Sequence, residues 1–126
     1  MNRRALILTL IACLATPAVA QSVKLQADEI NELLSGNTAV GKWQGTSYRQ
    51  HFAQDGTTIY AEENTRSTLG QWRIDPEKDE YQSIWPRDAD WEGWFVMEFA
   101  GDYYWVSKKT PPTPFKVLEG EQLVAP

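Results

Sequence analysis

Within ten positions the chain interleaves three indoles with four charges: Trp85, Arg87, Asp88, Asp90, Trp91, Glu92 and Trp94. Side chains of these types do recognition chemistry. Trp, Tyr and Arg dominate protein interfaces, and flat indoles beside carboxylates suit the C–H faces of sugar rings. Tyr103 and Trp105 follow a short distance on, so four of the six tryptophans fall between residues 84 and 105. These nine residues are the candidate ligand or partner site, with another periplasmic protein, such as a hydrolase that the chain would inhibit, or a cell-wall saccharide as the expected partner.

The same stretch can be read as the start of a calcium loop. Asp88, Asp90 and Glu92 stand at positions 1, 3 and 5, with Gly93 at position 6. Position 12 is Phe99, however, where a bidentate acid is required, and Glu98 is out of phase. No metal and no cofactor are expected, and calcium on the three acids is the alternative.

Catalytic constellations are poorly represented. His51 is the only histidine, and a serine triad would need it beside a serine and an acid. Ser47 and Ser107 belong to other elements, and no nucleophile-elbow or glycine-rich phosphate motif occurs. A non-enzyme is therefore expected, with a carboxylate-dependent hydrolase as an alternative, because acids are abundant and their spacing in sequence does not give their separation in space.

The elements that must position these residues begin after an export signal. Arg3 and Arg4 precede an apolar run from Ala5 to Ala12, and Ala18-Val19-Ala20 is a small-x-small cleavage site before Gln21. The expected division is a signal peptide at 1–20 and a single domain at 21–126, periplasmic or secreted. Leu10-Ile11-Ala12-Cys13 supplies an alternative, a lipid anchor on Cys13. Cleavage would remove the sole cysteine, and with it disulfides, thiolate catalysis and cysteine-ligated zinc. It would also take Lys plus Arg from 12 to 10 against 17 acids, a net charge of −7. That surface is repelled by nucleic acid and by anionic lipid. No other run is apolar enough to insert in a membrane as a helix.

One helix and then strands are expected. Asp28 is placed to cap a helix over about 28–35, with Ile30, Leu33 and Leu34 as its apolar stripe and Gly36 as its stop. From Thr38 onward, alternation is broken by turn residues, among them Asp55-Gly56, Asn64, Asp75-Pro76, Pro86 and Gly101-Asp102. The pattern predicts a mainly β domain, a small antiparallel meander barrel or strongly curled sheet of about seven or eight strands. A two-residue turn at Asp55-Gly56 would pair Phe52 with Ile59 and Arg49 with Glu62. The hairpin at Gly101-Asp102 puts Phe95, Met97, Phe99, Tyr104 and Val106 on one face, the expected core. Trp94, Val96, Glu98, Tyr103, Trp105 and Ser107 fall on the other. That second face needs a cover, which is either the helix stripe or a bound partner.

Leu34-Ser-Gly-Asn-Thr38, then Tyr48, Phe52 and Asp55-Gly-Thr57, then Gly70-x-Trp72, resembles a group of small exported proteobacterial proteins of unestablished function, over roughly residues 26 to 106. The resemblance implies a compact periplasmic β-domain. Relatives often carry a cysteine pair around the Trp-Pro segment, which this chain lacks, so packing around Trp85 and Trp94 would have to substitute. Gly41-Lys42-Trp43 after a short helix is also similar to the opening of lipocalins and other calycins. That likeness implies a carrier of a small apolar ligand as the alternative function. The strands are short enough for their own side chains to fill the barrel, so a packed interior without a large cavity is expected.

Overall fold

The computed structural model describes residues 21–124. The expected signal segment, with Cys13 and the Ala18-Val19-Ala20 site, lies outside them. The order is β1 (Val23–Lys24), α1 (Ala27–Leu34), β2 (Thr38–Trp43), β3 (Thr46–Phe52), β4 (Thr57–Glu62), β5 (Thr68–Asp75), β6 (Glu80–Ile84), β7 (Glu92–Phe99), β8 (Asp102–Val106) and β9 (Thr113–Leu118). Strands β2 to β9 form a closed eight-stranded antiparallel barrel: each pairs with its successor, and β9 returns to β2 with Gly41 beside Phe115. Strand β1 adds to β7 through Val23–Glu98 and Lys24–Met97. Closure removes the unpaired edges that an open sheet of this size would present.

Helix α1 begins one residue earlier than the sequence suggested, and Gln26, not Asp28, is its N-cap. The backbone N–H of Ala27 donates to Asp79 Oδ1 at 2.8 Å, and that of Gln26 donates to Glu29 Oε1 at 2.8 Å. A carboxylate from the β5–β6 turn thus satisfies a helix-start donor that local sequence could not assign. Ile30 and Leu34 are fully buried and enter the barrel core, closing one end. Among the described residues no helix is long and apolar enough to cross a membrane.

The β3–β4 hairpin is shifted by one residue from the expected register. Phe52 pairs with Thr58, His51 with Ile59 and Arg49 with Ala61. Ala53 N donates to Thr57 O, so the loop holds three residues, Gln54 to Gly56, and Gly56 takes φ +95°. A three-residue loop with a left-handed glycine competes with the two-residue turn that Asp-Gly suggests. Because strand side chains alternate, this single slip turns Tyr60 and Glu62 inward beside Tyr48, and Ile59 and Ala61 outward. Arg49 accordingly makes no pair with Glu62 and instead donates to Gln122 O at 2.8 Å.

The β7–β8 partition is as read, with Phe95 opposite Val106 and Val96 opposite Trp105, but its inside and outside are exchanged. Val96 and Trp105 are buried, whereas Phe99 is 41% exposed and Phe95 lies outside under the Lys24 ammonium. Counting apolar atoms favours the Phe95 face. The decisive factor is what each face meets across the barrel. Trp105 stacks on Phe115 at 4.1 Å and meets Tyr81 at 5.1 Å, and Phe52 packs edge-on to Trp72 and Tyr81. Aromatic contacts of this kind add about 0.5–1.5 kcal/mol each beyond area burial. The face thought to need a cover is the barrel interior, and the helix stripe joins it from the end.

Candidate functional site

The end of the barrel opposite α1 is open. Here the inward positions alternate between very large and very small side chains. Trp43, Trp85, Trp94 and Tyr60 stand at the mouth, while Gly41, Gly70, Thr68 and Ser83 leave room between them. The result is a cavity of about 370 Å³ with Tyr48, Gln50, Tyr81 and Trp105 deeper within and Glu62 and Glu92 among its walls. The packed interior expected from strand length is therefore corrected. An eight-stranded barrel is just wide enough to be filled or to hold one small ligand, and small inward residues on several strands decide for the second.

Two glycines make this geometry possible. A Cβ on Gly70 would lie 2.5 Å from Trp85 Cε3, so only glycine lets that indole lie across the wall. A Cβ on Gly41 would lie 3.2 Å from the Tyr48 hydroxyl. Both Gly-x-Trp motifs thus serve the same purpose, an absent side chain followed two positions later by an inward indole.

The floor is a hydrogen-bonded layer. Gln50 Nε2 donates to Thr58 Oγ1 at 3.0 Å and to Tyr81 OH at 2.9 Å, and Trp105 Nε1 donates to Tyr48 OH at 3.0 Å. Burial pushes the Tyr48 hydroxyl above its ordinary value and that of Tyr81 up to about 12. Tyr60 is raised as well, by burial first and then by the Glu62 carboxylate, whose Oε2 accepts its hydroxyl at 3.2 Å. Trp43 and Trp94 meet edge to face at 5.7 Å, and Tyr60 stacks on Tyr48 at 5.2 Å.

Comparison with protein-family models, with curated proteins and with solved structures finds no match. What the site can do therefore has to be read from its own geometry.

The nine residues singled out in the sequence are distributed over four places. Trp85, Glu92, Trp94 and Trp105 line the cavity. Trp91 lies on the outer wall, its ring 3.9 Å from the Arg73 guanidinium. Arg87, Asp88 and Asp90 are exposed on the β6–β7 loop, where Asp88 Oδ2 accepts from Trp85 N at 3.0 Å and closes the turn. Tyr103 lines a shallower, more acidic recess at the helix end, with Glu29, Glu32, Glu98 and Glu119. Among the described residues no group of three acids or other metal-ligating side chains is close enough to hold an ion, so the calcium alternative has no assembled site.

Sequence reasoning missed Trp43, Tyr48, Gln50, Tyr60, Glu62, Thr68, Tyr81 and Ser83. The only available signal was the repeated Gly-x-Trp. His51 sits on the outer face, with Nδ1 3.3 Å from Thr38 Oγ1, away from the cavity.

Proposed function

We propose that the chain is a noncatalytic exported binding protein that holds one small, largely apolar ligand in the open end of its barrel. The observation that carries this reading is the aromatic-walled cavity of about 370 Å³, open at one end and closed at the other by α1. Its size falls at the lower end of the roughly 300–1,000 Å³ typical of small-molecule sites, and such sites are mostly apolar with a few placed polar groups. The calycin-like carrier is thus better supported than a flat recognition surface, because the indoles of the 85–94 segment divide between the cavity and the outer wall.

Titration with the neutral dye Nile red tests the proposal. Saturable dye emission, lost in Trp94→Ala and kept in Trp91→Ala, is expected. Equal loss in both variants would return the site to the outer surface.

A second reading is a carboxylate-dependent hydrolase, favoured by Glu62 and Glu92 lining one cavity. Against it, Glu92 is exposed and Glu62 already accepts the Tyr60 hydroxyl. Release of nitrophenol from a nitrophenyl glycoside, abolished in Glu62→Gln, would select the hydrolase.

A further inference from the structure

The cavity has a chemical sign. Among the described residues its only charged wall residues are Glu62 and Glu92. Most of the remaining lining is aromatic, with Trp43, Trp85, Trp94 and Tyr60 at the mouth and Gln50, Thr68 and Ser83 as the polar remainder. An aromatic face is the negative part of a quadrupole, so rings and carboxylates attract the same kind of guest.

The indole and amide donors of the floor are already engaged. Trp105 Nε1 is engaged by Tyr48, and Gln50 Nε2 by Thr58 and Tyr81. Burial raises both Tyr60 and Tyr81, and the Glu62 carboxylate raises Tyr60 further, whereas Glu92 adds only the smallest contribution at Tyr81.

We propose that the ligand carries a compact alkylated ammonium group, seated against the mouth indoles between the Glu62 and Glu92 carboxylates. This rests on the small-ligand reading above and names its chemical class. Alkylation matters for two reasons. A trimethylated ammonium is large and weakly hydrated, so it loses little on entering an apolar enclosure, and it requires no ordered set of acceptors. A bare metal ion would require a ligand cluster, and none is assembled among the described residues. Aromatic enclosures are the usual means of holding quaternary ammonium groups.

The test compares choline with its neutral carbon isostere, in which a tert-butyl group replaces the trimethylammonium, by calorimetry and tryptophan emission at low salt. Nile red is measured in parallel on the same protein. Choline is expected to bind about tenfold more tightly than the isostere, a preference in the range of desolvated cation–ring contacts. Glu62→Gln combined with Glu92→Gln should lower that preference severalfold while the mouth rings keep part of it, with circular dichroism confirming an unchanged fold. A preference unchanged in this variant would overturn the role of the two carboxylates. Equal binding of choline and isostere by the unaltered protein, with Nile red still bound, would overturn the cationic assignment and leave the carrier intact. Failure of choline, isostere and dye alike would overturn both.

Discussion

The indole nitrogen of Trp105 donates to the hydroxyl of Tyr48 at 3.0 Å, joining strands β8 and β3 across the barrel beneath the cavity. Both residues are buried, at 7% and 5% exposure. Tyr48→Phe removes the acceptor and leaves a buried indole N–H without its partner, which costs about 1–3 kcal/mol. Urea unfolding should show that loss, and Trp105→Phe in the Tyr48→Phe background should cost less than in the unaltered protein. Equal costs in both backgrounds would mean that the bond contributes nothing.

Alkaline pH should weaken the fold through the same layer. Burial raises Tyr48, Tyr60 and Tyr81, the last to about 12 from an ordinary value of 10.0. Below pH 10 both states keep these protons and the contribution is complete. Between pH 10 and about 12 the unfolded chain releases the Tyr81 proton while the folded chain retains it, so stability falls as pH rises. Chemical unfolding across that window should show a downward slope, flatter in Tyr81→Phe despite the lower starting stability caused by losing the hydrogen bond from Gln50.

The helix end and the cavity end should be separable. Ile30 and Leu34 are fully buried in the end opposite the mouth. Leu34→Ala is expected to cost about 2–5 kcal/mol and Ile30→Val about 0.5–1.5 kcal/mol. At temperatures where the variants remain folded, Nile red affinity should match that of the unaltered protein. A parallel loss of affinity would show that the two ends are coupled.

Gly70 should be intolerant of a methyl group for a reason specific to the mouth. The added carbon would meet Trp85 Cε3 at 2.5 Å and the Ile84 carbonyl at 2.8 Å, and the second is backbone that cannot swing away. Gly70→Ala is expected to lose about 1–3 kcal/mol and to weaken dye binding by displacing Trp85. Thermal melts and dye titration of one preparation read both effects.

The β7–β8 turn offers a stabilising change. Ala100 is held at φ +52° before Gly101 at φ +87°, the two left-handed positions of a two-residue hairpin. Left-handed backbone costs alanine about 1–2 kcal/mol, and asparagine tolerates it better. Ala100→Asn should raise the melting temperature and leave the cavity unchanged.

Much of the scaffold was legible in the residues. Pro76, Pro86 and Gly101 fall in turns, and Trp94 and Phe95 point to opposite sides. The Asp55-Gly56 loop was legible as a turn but not as one of three residues, since the choice between lengths depends on where β3 and β4 find partners. That single residue decides whether Tyr60 and Glu62 belong to the surface or to the cavity.

Alternation and turn chemistry are local, and they sufficed to define a chain of short antiparallel strands and to sort each strand's side chains into two sets. Local rules treat those two sets as equivalent, however. Which set faces inward was decided only when β9 closed on β2 and Trp105 met Phe115 and Tyr81 from other strands. The cavity has the same origin. Gly41 on β2, Thr68 and Gly70 on β5 and Ser83 on β6 are only small residues until closure turns them toward a shared interior, because empty volume is a property of facing surfaces and not of any segment alone.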